Sequence, residues 1–142
     1  AAMPIASCES LFSRRQFRPF FENRSIDVSI IDVPWNGLAE SHKISAMAEA
    51  YEINCAPHNF YGHMSTLMSA NLCAAMPNFR IMEIDIDDVP WKDDLVTHPP
   101  VIQNGDGLGT ASTDLRTAGP VRIVYATSRT QDALCDIFAP AL

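Results

Sequence analysis

At 142 residues the chain carries one domain's worth of material, and 47% hydrophobic residues suffice to bury a sizeable core. A net charge of −7 argues against nonspecific nucleic-acid binding, which rests on basic groups neutralising phosphates. No apolar run reaches the roughly 18 residues of a transmembrane helix, so no membrane partner is expected. No basic region followed by an apolar stretch marks a secretory signal either, so a cytoplasmic location is expected.

The chain starts at Ala1, inside what reads as a strand, which suggests an incomplete or processed piece. The first run, Met3 to Glu9, is strand-like. Ser13 to Glu22 follows, with Ser13 a candidate helix cap and Phe17, Phe20 and Phe21 at helical spacing. Pro19 keeps that helix short or bent. Asn23-Arg24-Ser25 is a turn, and Ile26 to Ile31 is a second strand. Pro34 and Gly37 mark the loop after it. Leu38 to Glu52 is the clearest helix, because Ile44, Met47, Ala48 and Tyr51 fall at i, i+3, i+4 and i+7. A third strand ends at His58, and a loop runs from Asn59 to Met64. Ser65 to Ala75 reads as a helix with Leu67, Met68 and Leu72 apolar and Ser65 as its cap. Arg80 to Ile84 is the fourth strand. Alternating strands and helices at this pitch predict an α/β fold with parallel strands and right-handed crossovers.

After residue 84 the pattern changes. Asp85 to Asp94 is an acidic loop, and 105–119 is rich in Gly, Thr, Ser and Asp with little to bury, so it is expected to be poorly anchored. Val121 to Ala126 reads as a short strand and Thr130 to Ala139 as a helix. The domain boundary therefore falls between 1–104 and a divergent tail, 105–142. Cys8, Cys55, Cys73 and Cys135 form no CxxC pair, which argues against zinc and for buried free thiols in a reducing compartment.

Four strand-like runs each deliver one ionisable residue: Glu9, Asp32, His58 and Glu83, spaced by 23, 26 and 25 positions. That interval fits one strand plus one helix. In parallel α/β proteins catalytic groups gather where strands end, which in a barrel is the C-terminal face. An Asp beside a His orients the imidazole and makes it a general base, and a carboxylate on the same rim can bind a hard cation such as Mg²⁺. Taken singly, each residue has a structural reading. Glu9 and Glu83 are ordinary loop carboxylates, Asp32 shapes the turn before Val33-Pro34, and His58 donates to a loop carbonyl. Their shared placement favours function. His63 competes with His58 as base but lies five residues further into the loop; His42 and His98 read as structural.

The residues Ile5-Ala6-Ser7-Cys8-Glu9-Ser10, Asp32, Ala56-Pro57-His58-Asn59 and Ile81-Met82-Glu83 resemble the last four strand ends of the enolase superfamily. The likeness is to its mandelate racemase subgroup, and within that to acid-sugar dehydratases such as galactonate dehydratase. It covers about Ala1 to Gly105. It implies a partial (β/α)8 barrel holding strands five to eight. Glu9 matches a metal carboxylate for Mg²⁺, Asp32 and His58 match the catalytic dyad, and Glu83 matches a carboxyl that stabilises an enediolate. The implied reaction removes the proton α to a carboxylate of a sugar acid and eliminates β-hydroxide as water.

The sequence also departs from that family. Its capping domain, its first four barrel strands, two other metal carboxylates and a catalytic Lys have no counterpart here, and a single Glu is a poor Mg²⁺ site. Past Asn104-Gly105 the run Gly107-Leu108-Gly109-Thr110-Ala111 replaces the family's Leu-Pro segment. Its codons, read one nucleotide along, can spell Leu-Val-Leu-Pro, which points to a frameshift near residue 105. Two alternatives stand beside the dehydratase: a non-catalytic fragment or pseudoenzyme, and a racemase or epimerase using the same dyad. Unpaired outer strands are expected to favour self-association.

Overall fold

The computed structural model describes residues 3–85, 89–97, 99–103, 106–108 and 121–126. Strand β1 (Ala6–Ser7) leads to helix α1 (Ser13–Glu22), strand β2 (Val28–Asp32), a short helical turn α2 (Val33–Asn36) and helix α3 (Leu38–Ala50). Strand β3 (Asn54–His58), helix α4 (His63–Ala75) and strand β4 (Met82–Asp85) complete the alternating part. A 3-10 turn (Lys92–Leu95) and strands β5 (Val101–Gln103), β6 (Asp106–Leu108) and β7 (Val121–Ala126) follow.

The expected α/β alternation is present and the strands of the alternating part are parallel. β1 pairs with β2 through Ala6↔Val28, and β2 pairs with β3 from Val28↔Asn54 to Asp32↔His58. β3 then meets the chain before β4 through a parallel bridge, Cys55↔Phe79, with the Cys55 N–H donating to the Asn78 carbonyl at 2.8 Å and the Arg80 N–H to the Cys55 carbonyl at 2.9 Å.

Alternation along each strand divides two faces. Ile31, Cys55, Met82 and Ile84 face the helices and join Phe17, Phe21, Ile44, Ala48, Leu72 and Cys73 in the main core. Val28, Ala56 and Ile81, with Ala6, form a smaller cluster on the other face. Asp32, His58 and Glu83 continue that second face, each at a multiple of two residues from a member of the small cluster. The site is therefore set by the same period that sets the core.

Several local expectations need correction. Phe20 is exposed, because only Phe17 and Phe21, four residues apart, point inward on α1. Ser13 is not the cap of α1 but its first residue, with φ +59°; the free N–H groups are met from outside, Ser13 by Asn36 Oδ1 at 2.8 Å and Arg14 by Glu40 Oε1 at 3.0 Å. The same bonds from Arg14 hold Glu40 below the usual carboxylate range. α4 begins at His63, two residues before Ser65, and its buried face carries Ser65, Thr66 and Ser69 beside Leu72 and Cys73. The loop predicted at Pro34 closes into α2, and Gly37 joins α2 to α3 with φ +72°, a conformation strained for any side chain although nothing crowds the position.

The tail also differs. The Val121–Ala126 strand is present, and it pairs in parallel with β4, so β4 is not the open outer edge that was expected. Asp106–Leu108, read as unanchored, is a strand between β5 and β7, antiparallel to both. Backbone ladders can order a segment that offers few apolar side chains. The stretch 109–119, the helix expected at 130–139 and Cys135 lie outside the described residues. Among the described residues no helix is long and apolar enough to cross a membrane.

Candidate functional site

Asp32 and His58 are the last residues of β2 and β3 and sit opposite each other in the parallel ladder. The ladder itself therefore brings the two side chains together. His58 Nδ1 lies 3.0 Å from Asp32 Oδ2. A carboxylate only accepts, so Nδ1 carries a proton, and in the neutral ring Nε2 is bare. Asp32 is 1% exposed and His58 26%, which buries the orienting carboxylate and leaves the ring within reach of a ligand.

Asp32 divides its two oxygens. Oδ1 accepts the Trp35 N–H at 2.9 Å and caps α2. Oδ2 faces His58 and also accepts the Tyr61 hydroxyl at 2.7 Å. The turn-capping contact and the contact to the imidazole are thus both made, one per oxygen.

Glu83 completes the group. Its Oε2 accepts the Asn59 N–H at 3.1 Å and lies 3.6 Å from His58 Nε2. Glu83 is the second residue of β4 rather than its end, which is Asp85. The contact survives because the β3 side of the pairing is already in the loop at Asn59.

Glu9 stands apart. It is exposed in the turn after β1, following Cys8, whose φ of +96° is sparsely populated for a non-glycine residue. Among the described residues no hydrogen bond or ion pair links Glu9 to Asp32, His58 or Glu83, and no three His, Cys, Asp or Glu side chains are grouped to hold a metal ion. One exposed carboxylate is not a magnesium site, since an octahedral ion needs several fixed oxygens.

His63 is not a member of the group. Its Nε2 is 2.6 Å from Asp93 Oδ1, which ties the first residue of α4 to the 3-10 turn. His42 lies on the exposed side of α3, and His98 is outside the described residues. The thiols of Cys8, Cys55 and Cys73 are free and buried. Burial pushes Cys8 up to about 11 and Cys55 up to about 12, and raises Cys73 well above the ordinary thiol, so none is a poised nucleophile.

Three participants were missed in the sequence. Tyr61 bonds Asp32 and meets the His58 ring edge-on, with centroids 6.0 Å apart and planes at 90°. Phe60 lies nearly parallel to the His58 ring, with centroids 6.5 Å apart and planes at 10°. Asn59, fully buried, donates from Nδ2 to Thr66 Oγ1 at 3.0 Å and accepts the Ser65 hydroxyl at 2.7 Å. The available signal was their position, directly after the strand-end His, where parallel α/β folds place ligand-facing loops.

The chain is similar to known proteins in sequence and in fold. The sequence model described as enolase C-terminal domain-like matches residues 1–111. The chain is 34% identical over 103 residues to a D-xylonate dehydratase of Haloferax volcanii, covering 72% of this chain and 25% of that protein. A crystal structure from Burkholderia xenovorans, of a protein named as an L-alanine-DL-glutamate epimerase and bound to magnesium and fumarate, is 49% identical. It superposes with a TM-score of 0.72 over 84% of this chain and 27% of its own. A mandelate racemase/muconate lactonizing enzyme-like protein from Rubrobacter xylanophilus is 31% identical with a TM-score of 0.68, over 87% and 29%. The chain thus spans about a quarter of the length of the relatives it matches.

Proposed function

The chain belongs to the enolase C-terminal domain-like family, and from that premise we propose that residues 1–104 supply strands five to eight of a (β/α)8 barrel in an acid-sugar dehydratase. The observation that carries the reading is the Asp32–His58 contact at paired strand ends, 3.0 Å long, with the bare Nε2 turned toward Glu83. Asp32 holds the Nδ1–H tautomer and stabilises the imidazolium that forms. His58 Nε2 takes the proton α to the substrate carboxylate. The C–H electron pair moves onto that carboxylate, giving an enediolate. Its collapse expels β-hydroxide, which leaves as water with a proton returned by the imidazolium, and the enol product tautomerises to a 2-keto acid. Glu83 can stabilise the developing charge only by donating, so this role requires its acid form.

Glu9 is assigned one carboxylate contact to Mg²⁺. No step above runs through the ion, because the described residues do not by themselves hold one. The partner implied is a small sugar acid, with neither nucleic acid nor membrane involved. Three buried free thiols suit a reducing compartment such as the cytoplasm.

A chimaera tests the reading. Residues 1–111 replace the matching quarter of the Haloferax dehydratase, and the product is assayed for 2-keto acid from D-xylonate. Turnover that disappears in His58→Ala while substrate still binds supports the assignment; turnover retained in His58→Ala removes His58 from the base role. The name of the Burkholderia neighbour favours a second reading, epimerisation. Exchange of the α-proton in D₂O without 2-keto product would select it.

A further inference from the structure

We propose that Tyr61 is a positioning residue for the dyad: its hydroxyl, donated to Asp32 Oδ2, takes a share of that oxygen's charge and so sets how readily His58 binds a proton. The proposal rests on the reading of His58 as the base, and deepens it.

The two donors to Oδ2 compete. The Tyr61 hydroxyl is 2.7 Å away and His58 Nδ1 is 3.0 Å away. The other oxygen is occupied by the Trp35 N–H at 2.9 Å, so the carboxylate cannot turn to separate them. Asp32 is 1% exposed, so bulk water does not compete with these donors for its charge. Among the described residues the charged and titratable groups facing His58 are Asp32 from β2, Glu83 from β4 and Tyr61 from its own loop; His63, at the start of α4, is engaged by Asp93. Among the described residues Tyr61 is thus the neighbour that acts on His58 through the oxygen His58 uses.

The phenol remains a donor across the neutral range. Burial, together with the bond to Asp32 and its charge, pushes Tyr61 up to about 12. The ring's other job is separable from the hydroxyl's. Its edge-on contact with His58 and the stacking of Phe60 depend on the rings alone. Tyr61→Phe therefore keeps the two ring contacts and removes the hydroxyl, with its bond to Asp32 and its contact with the Trp35 side chain; the Asp32→Asn background separates the two.

The test is an NMR pH titration of the labelled His58 ring in the whole chain. Tyr61→Phe leaves His58 as the sole donor to Oδ2. The midpoint of protonation should rise by about half a pH unit, a roughly threefold gain in proton affinity. Placing 3-fluorotyrosine at 61 makes a stronger donor and should move the midpoint down. In an Asp32→Asn background Tyr61→Phe should move nothing. An unmoved midpoint in Tyr61→Phe, shifts of the same sign in both variants, or an undiminished shift without Asp32 would each overturn the proposal. If Tyr61→Phe fails to fold, the fluorinated chain decides alone, because a purely structural role predicts no fall in the midpoint. The readout needs no turnover. A failure of His58 as base would appear in the chimaera and leave this titration intact.

Discussion

Replacing Asn59 by Ala should destabilise the chain and loosen Glu83 together. Asn59 is fully buried, and its side chain makes two hydrogen bonds, to Thr66 Oγ1 at 3.0 Å and from Ser65 Oγ at 2.7 Å. Those hydroxyls belong to residues only 2% and 7% exposed, so truncation strands both away from water. Each stranded group costs about 1–3 kcal/mol, so the two together give roughly 2–6 kcal/mol. With a urea dependence of about 2 kcal/mol per molar, the unfolding midpoint should fall by roughly 1–3 M. A double-mutant cycle isolates the cause. In a Ser65→Ala/Thr66→Val background, where there is nothing left to strand, Asn59→Ala should cost at least ~1 kcal/mol less. The Asn59 N–H also holds Glu83 Oε2 at 3.1 Å, so the Glu83 carboxyl signal should broaden in the single variant. Strictly additive costs across the cycle, or a midpoint shift below roughly 0.5 M, would refute the reasoning.

Tyr61 should titrate late in an absorbance scan of phenolate formation, near the value of about 12 set by burial and then by Asp32, and Asp32→Asn should bring it down part of the way. The sign follows from linkage. The fold raises this group, so its stabilising contribution is whole below the ordinary phenol range near pH 10 and is lost as pH rises through about 12; an ordinary titration would show that the bond to Asp32 does not persist in solution. Phe17→Ala should cost about 3–5 kcal/mol, read from thermal or urea unfolding, because the ring is fully buried in the main core; a cost near 1 kcal/mol would mean that the α1 contact is loose. The chain alone, with Mg²⁺ and a panel of sugar acids, should form no 2-keto product, since Glu9 stands apart from the dyad and the described residues gather no metal site; turnover above a His58→Ala control would overturn this.

The parts of the fold that sequence periodicity revealed are those in which one side chain decides one face. Asp32 and His58 could be paired in advance because each ends an apolar run, and a parallel ladder places such ends side by side. Glu83 was placed in the right company for a slightly wrong reason: β4 runs on to Asp85, and the loop at Asn59, not the strand end, meets it. α4 misled because its inward face is Ser65, Thr66 and Ser69, and hydroxyls give no apolar period. They are buried partly because Asn59 satisfies two of them, a partner no spacing rule supplies. β6 was invisible for a related cause. Its order comes from backbone pairing on both sides, and backbone groups are the same in every residue.

At Asp32 the turn-capping contact and the orienting role proposed for it do not exclude each other. A turn-capping carboxylate needs one oxygen fixed on a backbone N–H, and an orienting carboxylate needs one oxygen fixed on an imidazole. Both demands are met by the same rigid group, since fixing Oδ1 on Trp35 also fixes where Oδ2 points. The cap thus serves the proposed orienting role: α2 holds the carboxylate from one side while β2 holds it from the other. Asn at this position could keep the cap and still face His58, but without the charge that stabilises an imidazolium. Glu would keep the charge and move it by one methylene, out of register with both partners. The requirement for Asp in particular therefore comes from the two roles jointly, and neither alone would impose it.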